Sequence, residues 1–295
     1  MSELIPNSVD RLVVGCGYLG LRVAKKWLEQ GLCVAVTTRS AEKGRQFEKL
    51  GLQPIICDVL DRDSLNRLPK SKIVLHAVAV DRHSGQSMRS VYLDGTNHLL
   101  NAIQQRCERC FYISSTSVYG QSAGEIITEQ SACKPIRENG QICLEAENLV
   151  RASDIDSLIL RLAGIYGPGR LIARMNQAKQ AIPIPGNPDA WLNLVHIDDC
   201  VAAIVAASKI DLRNETILVS DDLPVRRCEY YSLLAKLLQV SQPIFNANQK
   251  DPKGGRGEGK RCNNSKLHQL LLKNLQYPSI TEGLPNAIDC VDSST

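Results

Sequence analysis

Apolar positions along the first 170 residues fall into two alternating rhythms. "RLVVGCG" (11–17), "LCVAVTTRS" (32–40), "QPIICDV" (53–59), "KIVLHAVAV" (72–80), "CFYISSTSVYG" (110–120) and "SLILRLAGIYG" (157–167) are apolar runs of strand length. Between them, "YLGLRVAKKWLEQG" (18–31) and a stretch over roughly 88–108 place apolar residues at helical spacing, and the first stops at a glycine. Strands that are apolar throughout are buried on both faces, which requires a parallel sheet covered by helices on each side. Right-handed crossovers then give an α/β fold with a doubly wound parallel sheet of the Rossmann kind. "VHIDDCVAAIVAASK" and "TILVSD" read as a helix and a strand that rejoin it. The expected division is a nucleotide-binding domain over 1–170, rejoined by about 192–222, with a small C-terminal lobe built from 171–191 and 223–295.

Composition narrows the function classes. The 295 residues carry 35 basic and 31 acidic side chains, a formal charge of +4. That balance is too mild and too evenly spread to argue for nucleic acid or a membrane surface as partner. The opening "MSELIPNSVDR" shows no basic-then-apolar signal, and no apolar run is long enough to span a bilayer. Eleven scattered cysteines, an odd number, fit a reducing cytoplasm better than a disulfide framework. Cys107 and Cys110 have C-x-x-C spacing, but no second ligand pair accompanies them, so no metal site is expected. "NQKDPKGGRGEGKRCNNSK" (248–266) reads as a surface loop.

"GCGYLG" supplies Gly15, Gly17 and Gly20 in G-x-G-x-x-G spacing, after a strand and at the start of a helix. Gly15 permits the tight turn, Gly17 lets the backbone approach a pyrophosphate, and Gly20 lets the helix pack on the strand. The helix start at Tyr18 and Leu19 offers N–H groups and a partial positive charge to the phosphates. An NAD site usually has an acidic residue at the end of the second strand, for the ribose 2′-hydroxyl. None stands at 36–40; Arg39 does. A guanidinium pairs bidentately with a 2′-phosphate, so NADP is expected ahead of NAD.

With this turn, "ISSTSVYG" (113–120), "LRLAGIYGPGR" (160–170) and "LNLVHIDDC" (192–200) resemble the extended short-chain dehydrogenase/reductase superfamily, specifically its NAD(P)-dependent epimerase/dehydratase group. "GKRCNNSKL" and "YPSITEGL" near the C-terminus are similar to the YeeZ-like subgroup. The resemblance implies that Asp58 contacts the adenine and Ala79 lies beside the cofactor ribose. It implies that Ser115 holds the reacting oxygen, and that His196 and Asp198 lie where the chain returns to the sheet. It also raises the expectation of a homodimer formed through the helices near 88–108 and 140–152.

In that family a tyrosine and a lysine, four residues apart, follow the serine. A free phenol has a pKa of about 10, and a lysine cation brings it toward the working range. Here the tyrosine position is Asn139 and the lysine position is Cys143, in "ENGQIC". No Tyr-x-x-x-Lys occurs anywhere, and no tyrosine lies between 120 and 165. An amide does not donate a proton near neutrality, and a thiol brings no fixed positive charge. Tyr119, Tyr166, His196 and Cys143 are the candidate replacements, each with an equally natural structural role. A UDP-sugar substrate is disfavoured by Gly164, where nucleotide-sugar members often carry Asn, and by a short C-terminal portion. The expectation is an atypical oxidoreductase acting on a small carbonyl, hydroxyl or sugar-like substrate. The alternative is a non-catalytic NADP-binding redox sensor or scaffold.

Overall fold

The computed structural model describes residues 7–81, 84–249 and 258–292. Its central sheet has seven strands: β1 (Ser8–Val14), β2 (Val34–Thr38), β3 (Gln53–Ile56), β4 (Lys70–His76), β5 (Cys107–Ser115), β6 (Asp156–Leu162) and β7 (Glu215–Val219). Their order is β7-β6-β5-β4-β1-β2-β3, and the β1–β2, β1–β4, β2–β3 and β4–β5 ladders are parallel. The order reverses between β1 and β4, which opens a crevice at the carboxyl ends of those strands. These are the six apolar runs plus "TILVSD", so the expected doubly wound α/β sheet is what forms.

The helices dock by their apolar stripes. In α1 (Tyr18–Glu29) the buried residues are Leu19, Gly20, Val23, Ala24 and Trp27, one face of the helix. The Trp27 indole N–H donates to Ser208 Oγ at 3.2 Å, so the largest buried side chain satisfies its one polar atom. The other helices used below are α2 (Ala41–Lys49), α3 (Gly95–Ile103) and α4 (Glu138–Ala152).

Three boundaries differ from the sequence reading. The helix expected over 88–108 is a π-helical segment, Ser90–Asp94, followed by α3, which ends at Ile103. β5 starts at Cys107 because Ser71 pairs with that residue across the ladder. It stops at Ser115, where Thr116–Val118 forms a 3₁₀ turn in place of the expected strand. The run 157–167 is two strands, β6 and Gly164–Tyr166, and the second pairs with Leu194–His196. Propensity continues through both breaks; the hydrogen-bond partners do not.

The chain forms two compact units. The first contains 1–118, 133–161 and 204–217 and is organised around the sheet. The second contains 119–132, 162–203 and 218–295. Its core gathers Tyr166, Leu171, Met175, Leu194, Tyr230, Leu234, Ile280 and Leu284. Gly283 is required there, since a Cβ would fall 1.9 Å from the Tyr166 hydroxyl. Of the basic stretch 248–266, residues 250–257 lie outside the described residues; Gly259–Cys262 is a strand paired in parallel with Ala123–Ile127 rather than a loop. Among the described residues, no helix is long and apolar enough to cross a membrane.

The second unit also buries a carboxyl group without a partner. Asp221 is 1% exposed, and neither of its oxygens accepts a hydrogen bond among the described residues. Burial first, and then the charges of Asp222, Asp199 and Glu282, push its pKa well above the ordinary carboxylate range. The folded state therefore binds a proton that the unfolded chain releases near pH 4. Stability falls as pH rises from there towards the folded pKa, by up to about 1.4 kcal/mol per pH unit from this group. Asp221→Asn should flatten the slope as pH rises above the ordinary aspartate pKa, as read by urea titration. Parallel slopes in parent and variant would show that Asp221 ionises freely.

Candidate functional site

The turn after β1 assigns a separate task to each of its glycines. Gly15 has φ +96°, and a Cβ there would lie 2.5 Å from the Ala77 carbonyl carbon and the Val78 nitrogen at the end of β4. A Cβ on Gly20 would lie 2.3 Å from the Gly15 carbonyl oxygen, so α1 seats against the turn only with glycine there. Gly17 differs: its φ is −92°, and a Cβ would meet nothing within 4 Å. Packing within the protein gives no reason for glycine at 17, and the open space lies at the N-terminus of α1. That end has no side-chain cap and no acidic residue in its first turn, so its positive pole is left for an anion. The Gly15 N–H donates to Thr37 Oγ1 at 3.2 Å, which ties the turn to β2. Tyr18 and Leu19 form the first helical positions, Leu19 buried and Tyr18 stacked under Arg22 at 4.1 Å. These residues fit the pyrophosphate of a dinucleotide.

Around this turn the first unit gathers the other residues singled out in the sequence. Arg39 follows β2 and is exposed; its Nη2 donates to Asp81 Oδ2 at 3.0 Å. Ser40 caps α2, its side chain accepting from the Lys43 N–H. Asp58, past the end of β3, is half-buried and uses Oδ1 to accept from the Leu60 N–H at 2.9 Å. Ala79 is exposed in the segment after β4. Each lies beyond the carboxyl end of a parallel strand, the edge where ligands bind in open α/β sheets.

Ser115 ends β5. Its Oγ accepts from the Ser117 N–H at 3.1 Å, which leaves the hydroxyl hydrogen to donate elsewhere. The N-terminus of α4 lies on the turn that follows. A Cβ on Gly140 would be 2.3 Å from the Ser117 carbonyl oxygen, so glycine is required for this approach. That contact places Asn139 and Cys143 beside the serine turn. Asn139 is exposed, whereas Cys143 is buried and hydrogen-bonded to the Ser117 side chain. Burial pushes the Cys143 thiol up, so it stays neutral and is no acid near pH 7. Tyr92, on the π-helical segment, faces Cys143 and is likewise raised, first by burial.

Below this turn lies a buried ion cluster. Glu147 of α4, fully buried, accepts from Ser114 Oγ (2.6 Å), Arg161 Nε and Nη2 (2.9 and 2.6 Å) and Arg151 Nη1 (3.0 Å). It joins β5, α4 and β6 directly beneath Ser115.

The remaining candidates also make contacts that hold the fold. In the second unit the Tyr166 hydroxyl donates to the Ser279 carbonyl at 3.3 Å, and burial raises its pKa. His196 is buried between the Tyr166 and Tyr277 rings, and its Nδ1 accepts from the Asp198 N–H at 3.2 Å. Tyr119 is buried, and its carbonyl accepts from Lys260 Nζ at 3.1 Å. Burial lowers the Lys260 pKa. In the first unit, burial pushes Cys107 up to about 12 and Cys110 higher still, so neither thiol is a ready nucleophile.

Asp81 and Glu147 were not singled out in the sequence. Asp81 is one acid in a mixed segment and gives no signal. Glu147 had an indirect one: Arg161 interrupts the apolar strand "LILRLAG", and a buried arginine needs a carboxylate.

Comparisons with known proteins agree with this geometry. The chain is 29% identical over 280 residues to protein YeeZ of Escherichia coli (strain K12), an alignment covering 90% of this chain and 95% of that one. It is 23% identical over 257 residues to a 3-diazoavenalumate denitrifying reductase from Streptomyces sp, covering 79% and 82%. Among solved structures, a UDP-glucuronic acid 4-epimerase from Bacillus cereus in complex with NAD shares the fold with a TM-score of 0.78 at 22% identity, covering 96% of this chain and 99% of that one. Residues 11–219, which span the glycine turn, the serine turn and all seven strands but the start of β1, match the NAD dependent epimerase/dehydratase family, and the chain belongs to that family.

Proposed function

We propose that the chain is an atypical NAD(P)-dependent oxidoreductase that binds NADP(H) and acts on a small carbonyl, hydroxyl or sugar-like substrate. The observation that carries this reading is the open space at Gly17, at an uncapped helix N-terminus and flanked by two glycines that packing requires. The 2′-phosphate is assigned to Arg39 with Ser40 beside it, and the adenine to Asp58. A bound nicotinamide supplies or accepts a hydride. Ser115 then has one task. Its oxygen is engaged by the Ser117 N–H, so its hydrogen is donated to the substrate oxygen and holds charge that develops there. Neither Asn139 nor Cys143 can supply the proton, which is assigned to an ordered water. The second reading, a non-catalytic NADP-binding sensor or scaffold, is favoured by the buried neutral thiol where the family has a lysine.

A panel of carbonyl and sugar substrates with NADPH fluorescence as readout separates the two. The expected result is turnover with at least one class, reduced about 100-fold in kcat/KM by Ser115→Ala, with NADPH affinity unchanged. Tight nucleotide binding with no turnover across the panel supports the sensor.

A further inference from the structure

We infer that Asp81 sets how strongly the chain distinguishes a 2′-phosphate from a 2′-hydroxyl on the cofactor. The inference rests on the reading that Arg39 faces the adenosine ribose. Arg39 follows β2 and Asp81 follows β4, the strands on either side of β1, so their ion pair lies beyond the carboxyl edge of the sheet, as the glycine turn after β1 does. The guanidinium already donates to the Asp81 carboxylate at 3.0 Å, and both side chains are about half exposed, 48% and 47%.

A 2′-phosphate brings between one and two negative charges at neutral pH. It must share the Arg39 fork with a carboxylate or displace it, and the two anions repel at such separations. A 2′-hydroxyl is neutral and leaves the ion pair undisturbed. Asp81 therefore weakens NADP(H) selectively and narrows a preference that Arg39 alone would make wide. An exposed pair of this kind contributes little to stability, so its replacement tests recognition rather than folding.

The test titrates the full chain with NADPH and with NADH, by nucleotide fluorescence, in the parent, Asp81→Asn, Arg39→Ala and the double variant. Asp81→Asn should bind NADPH about fivefold more tightly and NADH within about twofold of the parent. Arg39→Ala should lose NADPH affinity, and adding Asp81→Asn to it should restore nothing. An equal gain for both nucleotides, a gain that survives without Arg39, or no gain in Asp81→Asn overturns the inference while the NADP(H) reading stands. An Arg39→Ala variant that binds NADPH like the parent removes that reading, and the inference with it. A parent that binds neither nucleotide ends both.

Discussion

Glu147→Ala should destabilise the first unit by about 3–5 kcal/mol. The carboxylate is fully buried and Arg161, its bidentate partner, is 4% exposed. Removing the carboxylate takes its bidentate anion from a guanidinium in the protein interior and also frees the Ser114 hydroxyl. Arg151, more exposed, can turn to water and contributes less. Replacing both ends, Glu147→Met with Arg161→Leu, should cost far less than Glu147→Ala, because no charge is then left buried. The measurement is chemical denaturation followed by Trp27 fluorescence in a Trp191→Phe background, which reports the first unit. If the single and double variants unfold alike, the buried pair is not what holds α4 to β6. The pH dependence has a fixed sign. Burial raises the Glu147 pKa, but the Arg161 hydrogen bonds and charge outweigh it and the net shift is downward. Its stabilisation is therefore complete above the ordinary glutamate pKa of about 4.3 and is lost as pH falls through the lower folded value.

Gly17→Val should leave the fold intact and weaken NADPH binding by at least about 100-fold. The two halves of this expectation have separate grounds. A Cβ at 17 meets nothing within 4 Å, and φ −92° lies outside the left-handed region, so packing around this position offers little objection. The same side chain would fill the space a pyrophosphate needs above the α1 N-terminus. Gly15→Val is the contrasting control, because its Cβ runs into the Ala77–Val78 backbone just after β4 at 2.5 Å from a φ of +96° and should impair folding itself. Thermal unfolding beside nucleotide titration distinguishes the pair. Gly17→Val binding NADPH as tightly as the parent would place the nucleotide somewhere else, and with it the proposed oxidoreductase chemistry.

Much of this site was legible in the sequence because its signals are local. A strand-turn-helix with glycines at fixed offsets specifies backbone geometry over a handful of residues, and Gly15, Gly17 and Gly20 occupy that geometry. The absence of the tyrosine–lysine pair was equally plain, since it needs only a residue count. The state of Cys143 was not, because a thiol's acidity depends on what surrounds it, and here burial raises it.

The sequence by itself determined the doubly wound sheet and its glycine turn, because apolar period and glycine spacing are properties of neighbouring residues. Tertiary structure alone decided that Arg39 meets Asp81, that Arg161 meets Glu147, and that the Asp221 carboxyl is buried with no hydrogen-bond partner among the described residues. The first two pairs are 42 and 14 positions apart, and Asp221 is set apart by burial. Charge interactions depend on distance through space and on burial, and neither is encoded in spacing along a chain.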